Sequence, residues 1–282
     1  MTKKRIIIIS IVVFVLALIL VLFCAVFCVR RQQVTFTGER TENTINITDE
    51  SIIQSANIRN GSSIFSLDRD KVIQSIETTF PYIKVIQVNL VSAIRVEITV
   101  RERYEMYYTE FSGRYYIVDE ELKVLNIVDT IPTGLSYLYP NTLDDSTNTN
   151  ILGITSNTNV CDFLGSENIQ NITNDLYLSM CRTVMVDTDD GKEYVTRDDI
   201  KNIVNSIQFG YDYTIQDGRY DRVIISTSYG FTVDIGMPQN NLDQKVNVCF
   251  STIDTLMDQG TSSGTIIYGY DVNGNEDIKF VP

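Results

Sequence analysis

The stretch that decides the fold is residues 81–103, PYIKVIQVNLVSAIRVEITVRER. In its second half apolar and polar side chains alternate, and the apolar set is Ile94, Val96, Ile98 and Val100. Successive side chains of a strand point to opposite faces, so this alternation predicts a half-buried strand. Residues 83–90 are rich in β-branched side chains and predict a preceding strand. Together the two halves predict a β-hairpin.

The residues before the hairpin indicate one more strand and two helices. Residues 33–37, followed by Gly38, predict a short strand. Thr48 and Asp68 each stand where a helix N-cap is expected, and a proline ends the second helix. The predicted order is therefore β-α-α-β-β over residues 33–102. Two helices on one face of a small sheet make an α+β fold.

This order resembles the POTRA domain of the bacterial division proteins of the FtsQ family, called DivIB in Gram-positive bacteria. The resemblance rests on the piece G-x-x-I-F-x-L-D at residues 61–68, on Pro81, and on the pair Glu102 and Arg103 that closes the last strand. It implies a single POTRA domain at residues 33–102. It also implies that the Glu-Arg pair is a hinge into a second, β-rich domain.

An apolar run of 24 residues, 6–29, precedes this domain. At ~1.5 Å per residue a helix of that length spans roughly 36 Å, enough to cross a hydrocarbon core of ~30 Å. The run therefore predicts an N-terminal transmembrane helix, with residues 1–5 as a cytoplasmic tail. Positive charge is slightly larger before the run than after it, which predicts a cytoplasmic N-terminus and later domains outside.

Residues 103–282 predict a mixed β-sheet domain with helices. A hairpin within 104–118 and a strand at 124–128 precede a long loop at 129–160. The remaining predicted elements are helices at 169–184, 196–206 and 242–257 and strands at 208–215, 223–227, 231–235, 265–270 and 278–281. The segment G-F-T-V-D-I-G at 230–236, followed by a helix and a strand, resembles the FtsQ/DivIB β-domain. The resemblance thus covers nearly the whole chain.

The composition excludes several kinds of chemistry. The chain has no histidine, which removes Ser-His-Asp and Cys-His catalysis and imidazole metal sites. Beyond residue 31 there are 36 acidic and 18 basic residues, a balance unsuited to binding nucleic acid phosphates. Acidic stretches at 187–191 and 271–277 fit a calcium loop poorly and are interpreted as solvated turns. We expect no metal ion and no cofactor.

The final hairpin is the predicted partner-binding site. An edge strand offers unpaired backbone N–H and C=O groups to a strand of another chain. The resemblance implies that this end of the β-domain receives a small bitopic coiled-coil protein, FtsB or its counterpart DivIC, together with FtsL. Carried over by position, the predicted contacts are Tyr270, Asp271 and Phe280. On spacing alone, Tyr270 and Phe280 are instead a cross-strand packing pair.

The resemblance implies a non-enzymatic divisome scaffold in the cytoplasmic membrane at the septum. The alternative function is a membrane-anchored cell-envelope enzyme acting with a carboxylate pair. That enzyme needs two acids about 5–10 Å apart in a cleft, one of them with a raised pKa. A POTRA-bearing secretion chaperone would carry repeated POTRA units, and the sequence predicts one.

Overall fold

The computed structural model divides the chain into two units, Met1–Arg103 and Tyr104–Pro282. The first unit contains the predicted hairpin, and the second contains the β-rich remainder of the chain. The residues that the structure describes are 11–18, 21, 27–92, 94–143, 150–181, 183–188, 191–196, 200–210, 222–238, 241–270 and 276–282.

The first unit has the predicted β-α-α-β-β order. Its elements are β1 (Arg31–Thr37), α1 (Asp49–Ser55), a 3₁₀ turn (Ile64–Ser66), α2 (Arg69–Thr79), β2 (Ile83–Ser92) and β3 (Arg95–Glu102). Among the described residues these strands form one sheet in the order β1-β3-β2. β1 runs parallel to β3, and β2 runs antiparallel to it. The α+β prediction is confirmed, with β1 beginning two residues earlier than predicted.

Both predicted helix caps are present. The Thr48 hydroxyl accepts a hydrogen bond from the Ser51 N–H at 3.2 Å, and the Asp68 carboxylate accepts one from the Lys71 N–H at 3.2 Å. Each bond satisfies a backbone donor that has no partner inside the first turn of its helix. The starts of α1 and α2 are therefore determined locally by the sequence.

The core of the first unit lies between its helices and its sheet. The apolar set of β3 is buried as predicted, and Val96, Ile98 and Val100 have no exposed surface. Val29, the last residue of the apolar run, is also fully buried in this core. Its N–H donates to the Ser62 carbonyl at 2.9 Å. The end of the apolar run is thus part of the first unit.

Half of the predicted transmembrane helix, and all of the predicted tail at 1–5, lie outside the described residues. Residues 11–18 are helical. In the part of the chain that the structure describes, we find no helix with the length and apolarity that crossing a membrane requires.

The second unit is dominated by one large sheet. Its elements are β4 (Tyr107–Phe111), β5 (Arg114–Val118), β6 (Val124–Val128), β7 (Ser136–Leu138), α3 (Glu167–Met180), β8 (Thr183–Thr188), β9 (Gly191–Thr196), α4 (Ile200–Ile203), β10 (Val204–Gly210), β11 (Arg222–Thr227), β12 (Phe231–Gly236), α5 (Leu242–Asp258), β13 (Gly264–Tyr270) and β14 (Glu276–Val281). Nine of the strands described form a mixed sheet in the order β14-β13-β12-β11-β10-β7-β4-β5-β6, and β8 pairs with β9.

One face of the large sheet carries the core of the second unit. Helix α5 packs against β12, β13 and α3. Its buried stripe contains Val246, Cys249, Phe250 and Ile253, as the apolar spacing of residues 242–257 predicts. Helix α5 therefore fixes the position of the last strands of the sheet.

The sequence prediction is wrong for residues 183–206. The predicted helix at 169–184 ends at Met180, and β8 and β9 form a hairpin where a helix end and a turn were expected. The predicted helix at 196–206 is reduced to the four residues of α4 before β10. These segments are rich in β-branched residues, and pairing between strands overrides the weak helical periodicity.

Two boundaries also differ in the middle of the second unit. The predicted loop at 129–160 contains the short strand β7, which pairs with β4 on one side and with β10 on the other. The predicted strand at 208–215 begins at Val204, and its last five positions lie outside the described residues. Strand β7 is only three residues long, and its backbone partners come from distant segments. Its own sequence therefore does not predict it.

Candidate partner-binding edge

The large sheet has two ends, β14 and β6. Beside β6, residues 161–164 already supply partners, since the Val124 N–H donates to the Asp162 carbonyl and the Val124 carbonyl accepts from the Cys161 N–H, both at 2.8 Å. No segment among the described residues occupies the corresponding place beside β14. These bonds engage the first residue of β6, whereas within the described part of the chain the whole outer side of β14 is open to another strand.

The edge strand is held by a regular antiparallel ladder. β14 pairs with β13 over six positions, from Thr265 opposite Val281 to Tyr270 opposite Glu276. β13 in turn runs parallel to β12, which lies under α5. The last hairpin is thus a firm extension of the sheet, as the sequence predicted, and β14 is its outer strand.

Phe280 lies on the core face of this edge. It stands opposite the fully buried Ile266, and its ring covers Gly264 in the neighbouring strand. A side chain at Gly264 would come within 2.6 Å of the Phe280 ring and within 2.9 Å of the Val281 carbonyl. The glycine therefore makes room for the aromatic ring. Cross-strand packing accounts for Phe280 in the structure, and its contact with a partner stays a prediction.

Tyr270 is the last residue of β13 and faces Glu276 across the ladder. Asp271 lies outside the described residues. The structure places Tyr270 and Phe280 on adjacent strands, ten positions apart in sequence but separated by four steps of the ladder. The two residues therefore mark different ends of the hairpin rather than one compact patch.

Charged side chains occupy the outer strand. Asp277 and Lys279 lie on the face of β14 opposite Phe280, with the Lys279 Nζ 3.9 Å from an Asp277 oxygen. On the same face the side chain of Val281 is 49% exposed. Charges on an edge strand discourage indiscriminate pairing with other strands.

Sequence reasoning missed the contribution of Lys245 to this edge. Its ammonium donates to the Met237 carbonyl at 2.5 Å and lies 5.3 Å from the centre of the Tyr268 ring. Lys245 is only 3% exposed and belongs to the buried stripe of α5. The cation joins α5 to β13, whose Tyr268 faces Ile278 of the edge strand. The sequence signal that could have indicated this role is a lysine among the apolar residues of one helix face.

Residues 40–103 match a family model described as "POTRA domain, FtsQ-type". The matched range contains both helices and the β2–β3 hairpin of the first unit. The chain contains an FtsQ-type POTRA domain. The match lies entirely within the first unit.

Two of the proteins to which this chain is similar are both DivIB proteins. The cell division protein DivIB of Clostridium tetani (strain Massachusetts / E88) is 35% identical over 86 residues, which is 30% of this chain and 32% of that protein. The chain therefore matches about a third of the length of that relative. The major extracytoplasmic domain of the trans isomer of DivIB from Geobacillus stearothermophilus is 11% identical, with a TM-score of 0.30 over 57% of this chain and 98% of that one. At that identity and TM-score, nothing about this chain is inferred from the second protein.

The Glu-Arg pair that closes β3 is buried inside the POTRA domain. The Glu102 carboxylate accepts hydrogen bonds from the Thr41 N–H at 2.7 Å and from the Thr44 hydroxyl at 2.6 Å. The Arg103 guanidinium donates to the Glu77 carboxylate of α2 at 2.8 Å. Glu102 thus fixes the loop after β1, and Arg103 joins β3 to α2. These hydrogen bonds hold Glu102 and Arg103, the pair that we interpreted from the sequence as a hinge, inside the domain.

The motif at residues 61–68 splits into a buried and an exposed part. Gly61 has φ +86°, a conformation that glycine adopts without steric cost, and it begins the turn that leads into the 3₁₀ segment. Ile64 is buried and Leu67 is partly buried, but Phe65 is 69% exposed. Its side chain points away from the core.

The predicted turns offer no metal site in the described residues, where no group of three or more Cys, Asp or Glu side chains is placed to hold an ion. Asp187 is a strand residue that faces Lys192 in the β8–β9 hairpin. Residues 189–190 and 271–275 of the two acidic stretches lie outside the described part. At Asp68 the hydrogen bond and charge of Lys71 lower the pKa of the carboxyl group. That direction is opposite to the one that a carboxyl acting as a general acid requires.

Proposed function

We propose that this protein is a non-enzymatic scaffold of the cell division machinery, anchored in the cytoplasmic membrane by residues 6–29. The FtsQ-type POTRA domain carries the proposal, and it is supported by the Clostridium tetani relative, 35% identical over 86 residues, which is a cell division protein. The N-terminus lies in the cytoplasm, and both folded units lie outside at the division septum. The basic residues before the apolar run favour that orientation.

The second unit recruits bitopic partners of the FtsB/DivIC and FtsL type through β14. A partner strand beside β14 gives its backbone groups hydrogen-bond partners other than water, and main-chain pairing supplies the affinity. Tyr270, Asp271 and Phe280 at the two ends of the hairpin supply the specificity. The choice of this edge is supported by the other end of the sheet, where the first residue of β6 is already bonded to Cys161 and Asp162.

The POTRA domain docks other membrane proteins of the division machinery. Its β2 is an outer strand of the small sheet in the described residues, and Ile86 of that strand is 48% exposed. An exposed apolar side chain on an outer strand is compatible with contact to another protein. This second contact would let one chain hold two sets of partners.

Affinity pull-down of the co-expressed partner pair by the full-length chain tests the edge. We expect Tyr270→Ala to weaken recovery by about tenfold or more, as loss of an interface aromatic does. The matched control is Tyr229→Ala, which removes a 43% exposed tyrosine from the turn between β11 and β12. Phe280→Leu keeps an apolar cover over Gly264 while removing the ring.

Equal recovery by the wild type, Tyr270→Ala and Phe280→Leu would contradict the edge assignment. The division role has a separate readout, since a fluorescent fusion of the full chain is expected to gather at midcell. Uniform fluorescence around the cell would contradict that role, whatever the pull-down gives.

A further inference from the structure

One end of the POTRA domain receives the chain as it leaves the apolar run. Residues 27–29 pair with residues 61–64 through an isolated antiparallel bridge and backbone hydrogen bonds. The N–H groups of Arg30 and Arg31 both donate to the Ile94 carbonyl at the β2–β3 turn, at 2.9 and 3.0 Å. The apolar run, the motif loop and the hairpin tip therefore meet at this end.

Exposed apolar side chains gather there. Phe65 is 69% exposed, and its ring centre lies 5.7 Å from that of Phe27. At the hairpin tip Val91 is 43% exposed and Leu90 is 36% exposed. Single exposed apolar residues are ordinary, but several at the point where an apolar run ends indicate a surface that is covered in the cell.

Arginines flank these apolar side chains. Arg31 and Arg95 are direct partners in the β1–β3 register, and no carboxylate of the described residues forms an ion pair with either. Arg30 precedes them in the chain and is exposed. Like charges placed opposite each other in a sheet repel, and an anion bound between them removes that cost. Guanidinium groups bind phosphate with paired hydrogen bonds.

The chain as a whole carries a net charge of −13, so a cluster of arginines at one end is a local exception. A shallow cleft of about 460 Å³ lies at this end, lined by Arg30, Arg31, Arg95, three polar residues and Ile53. We name the anchor-side surface by its six residues: Arg30, Arg31, Phe65, Leu90, Val91 and Arg95. It combines apolar side chains with basic ones, which is the composition of surfaces that lie in a lipid interface.

We infer that the anchor-side surface lies on the bilayer and binds anionic lipid headgroups. Phe65 and the hairpin tip enter the boundary between headgroups and acyl chains, and the arginines bind the lipid phosphates. The inference rests on the proposed membrane anchor, because residues 6–29 bring this end of the domain to the membrane. It gives the POTRA domain a fixed orientation on the bilayer.

The test uses a single tryptophan, because the chain contains none. Full-length Phe65→Trp is reconstituted into liposomes of phosphatidylcholine alone or with phosphatidylglycerol, each with brominated acyl chains that quench tryptophan fluorescence. We expect Phe65→Trp to be quenched and blue-shifted, and more strongly when phosphatidylglycerol is present. Adding Arg31→Glu and Arg95→Glu should reduce the extra quenching by about twofold or more.

The matched control is full-length Ile45→Trp. Ile45 is 63% exposed and lies in the loop that follows Thr37. Thr37 is the far end of β1, about 20 Å from Arg31 at roughly 3.3 Å per residue along the strand. We expect no quenching at this position in either lipid. Ile45 belongs to the same domain, so the comparison separates contact with the bilayer from simple proximity to it.

Flotation of the liposomes reports membrane insertion separately from quenching. Chains that float while Phe65→Trp is quenched no more than Ile45→Trp would overturn the inference and leave the anchor intact. Equal quenching in both lipids, unaffected by the charge reversals, would overturn the binding of anionic headgroups. Chains that do not float would overturn both the anchor and the inference.

Discussion

At the scale of single residues, the POTRA domain is stabilised by charges buried where its segments meet. The Arg103 side chain is 2% exposed and the Glu77 side chain 11% exposed, with 2.8 Å between their charged atoms. The other Glu77 oxygen accepts the Val85 N–H at 2.9 Å. Glu77 accepts both hydrogen bonds only while α2, β2 and the end of β3 keep their positions.

Glu77→Ala should lower the free energy of unfolding of the first unit by about 3–5 kcal/mol, because it leaves a buried guanidinium without its carboxylate. Chemical denaturation of the full chain, followed by amide exchange in β2 and β3, measures the change. Lys71→Ala, which breaks the exposed ion pair with Asp68, is the control and should leave this exchange unaltered. Similar effects of the two variants would contradict a structural role for the buried pair.

Cys249 makes the second unit sensitive to alkali. Cys249 lies on the buried side of α5. This burial, together with the negative charge of Asp234, raises the pKa of the Cys249 thiol from its usual 9.0 to about 12. Well below pH 9 the Cys249 thiol is protonated in both the folded and the unfolded chain, so it does not make the free energy of unfolding depend on pH. As pH rises above 9, the unfolded thiol ionises while the folded one does not, and stability falls.

The free energy of unfolding should therefore decline between pH 9 and pH 10 with a slope of up to about 1.4 kcal/mol per pH unit from this thiol. Cys249→Ala should have a smaller slope over the same range. Urea denaturation of both proteins at pH 8, 9 and 10 measures it. Parallel pH profiles would show that Cys249 does not couple folding to pH.

At the scale of elements, the edge strand depends on one glycine. The Phe280 ring of β14 packs over Gly264, whose φ of +148° and close neighbours leave no room for a side chain. An aromatic ring placed over a glycine of the adjacent strand is a known means of fixing strand register. The partner-binding edge proposed above therefore depends on a residue that makes no contact with the partner itself.

Gly264→Ala should displace Phe280 and weaken the β13–β14 ladder. We expect faster amide exchange in β14 and reduced recovery of the partner pair. Gly269→Ala is a control in the same strand, since a side chain there would lie 4.0 Å from the nearest atom, the Asp277 carbonyl oxygen. If the two variants exchange and bind alike, the register of the edge does not depend on Gly264.

Elements differed in how far sequence could predict them. Helices α1 and α2 were predicted because their caps are hydrogen bonds between residues close in sequence. The β2–β3 hairpin was predicted because apolar and polar side chains alternate in a strand that buries one face. The β8–β9 hairpin was missed because its six pairs join segments whose own pattern is ambiguous. Strand β7 was missed because its position depends on β4 and β10 rather than on its own residues.

At the scale of the whole molecule, charge is divided unevenly between the units. Residues 104–282 hold 27 acidic and ten basic side chains, a net charge of −17, whereas residues 1–103 hold nine acidic and 13 basic side chains, a net charge of +4. Self-repulsion of like charges opposes folding. The second unit bears that cost, and the first unit carries the arginines of the anchor-side surface.

Raising the salt concentration should therefore stabilise the second unit more than the first. Screening lengths fall to about 8 Å at physiological ionic strength, which weakens repulsion between its surface carboxylates. Amide exchange in β10 and β11, compared with β2 and β3, measures the effect in the intact chain. Equal responses in the two units would contradict an electrostatic origin.

The sequence by itself determined the POTRA domain, the apolar run and the helix α5. Each is encoded by neighbours in the chain: caps, a period of two or 3.6 residues, or an unbroken apolar stretch. The sequence did not reveal that β14 has an open outer side while the first residue of β6 is bonded to residues 161–162, or that Phe65 faces outward. Those properties depend on which distant segments lie next to one another, and backbone hydrogen bonds and exposure are settled only when all of them are in place.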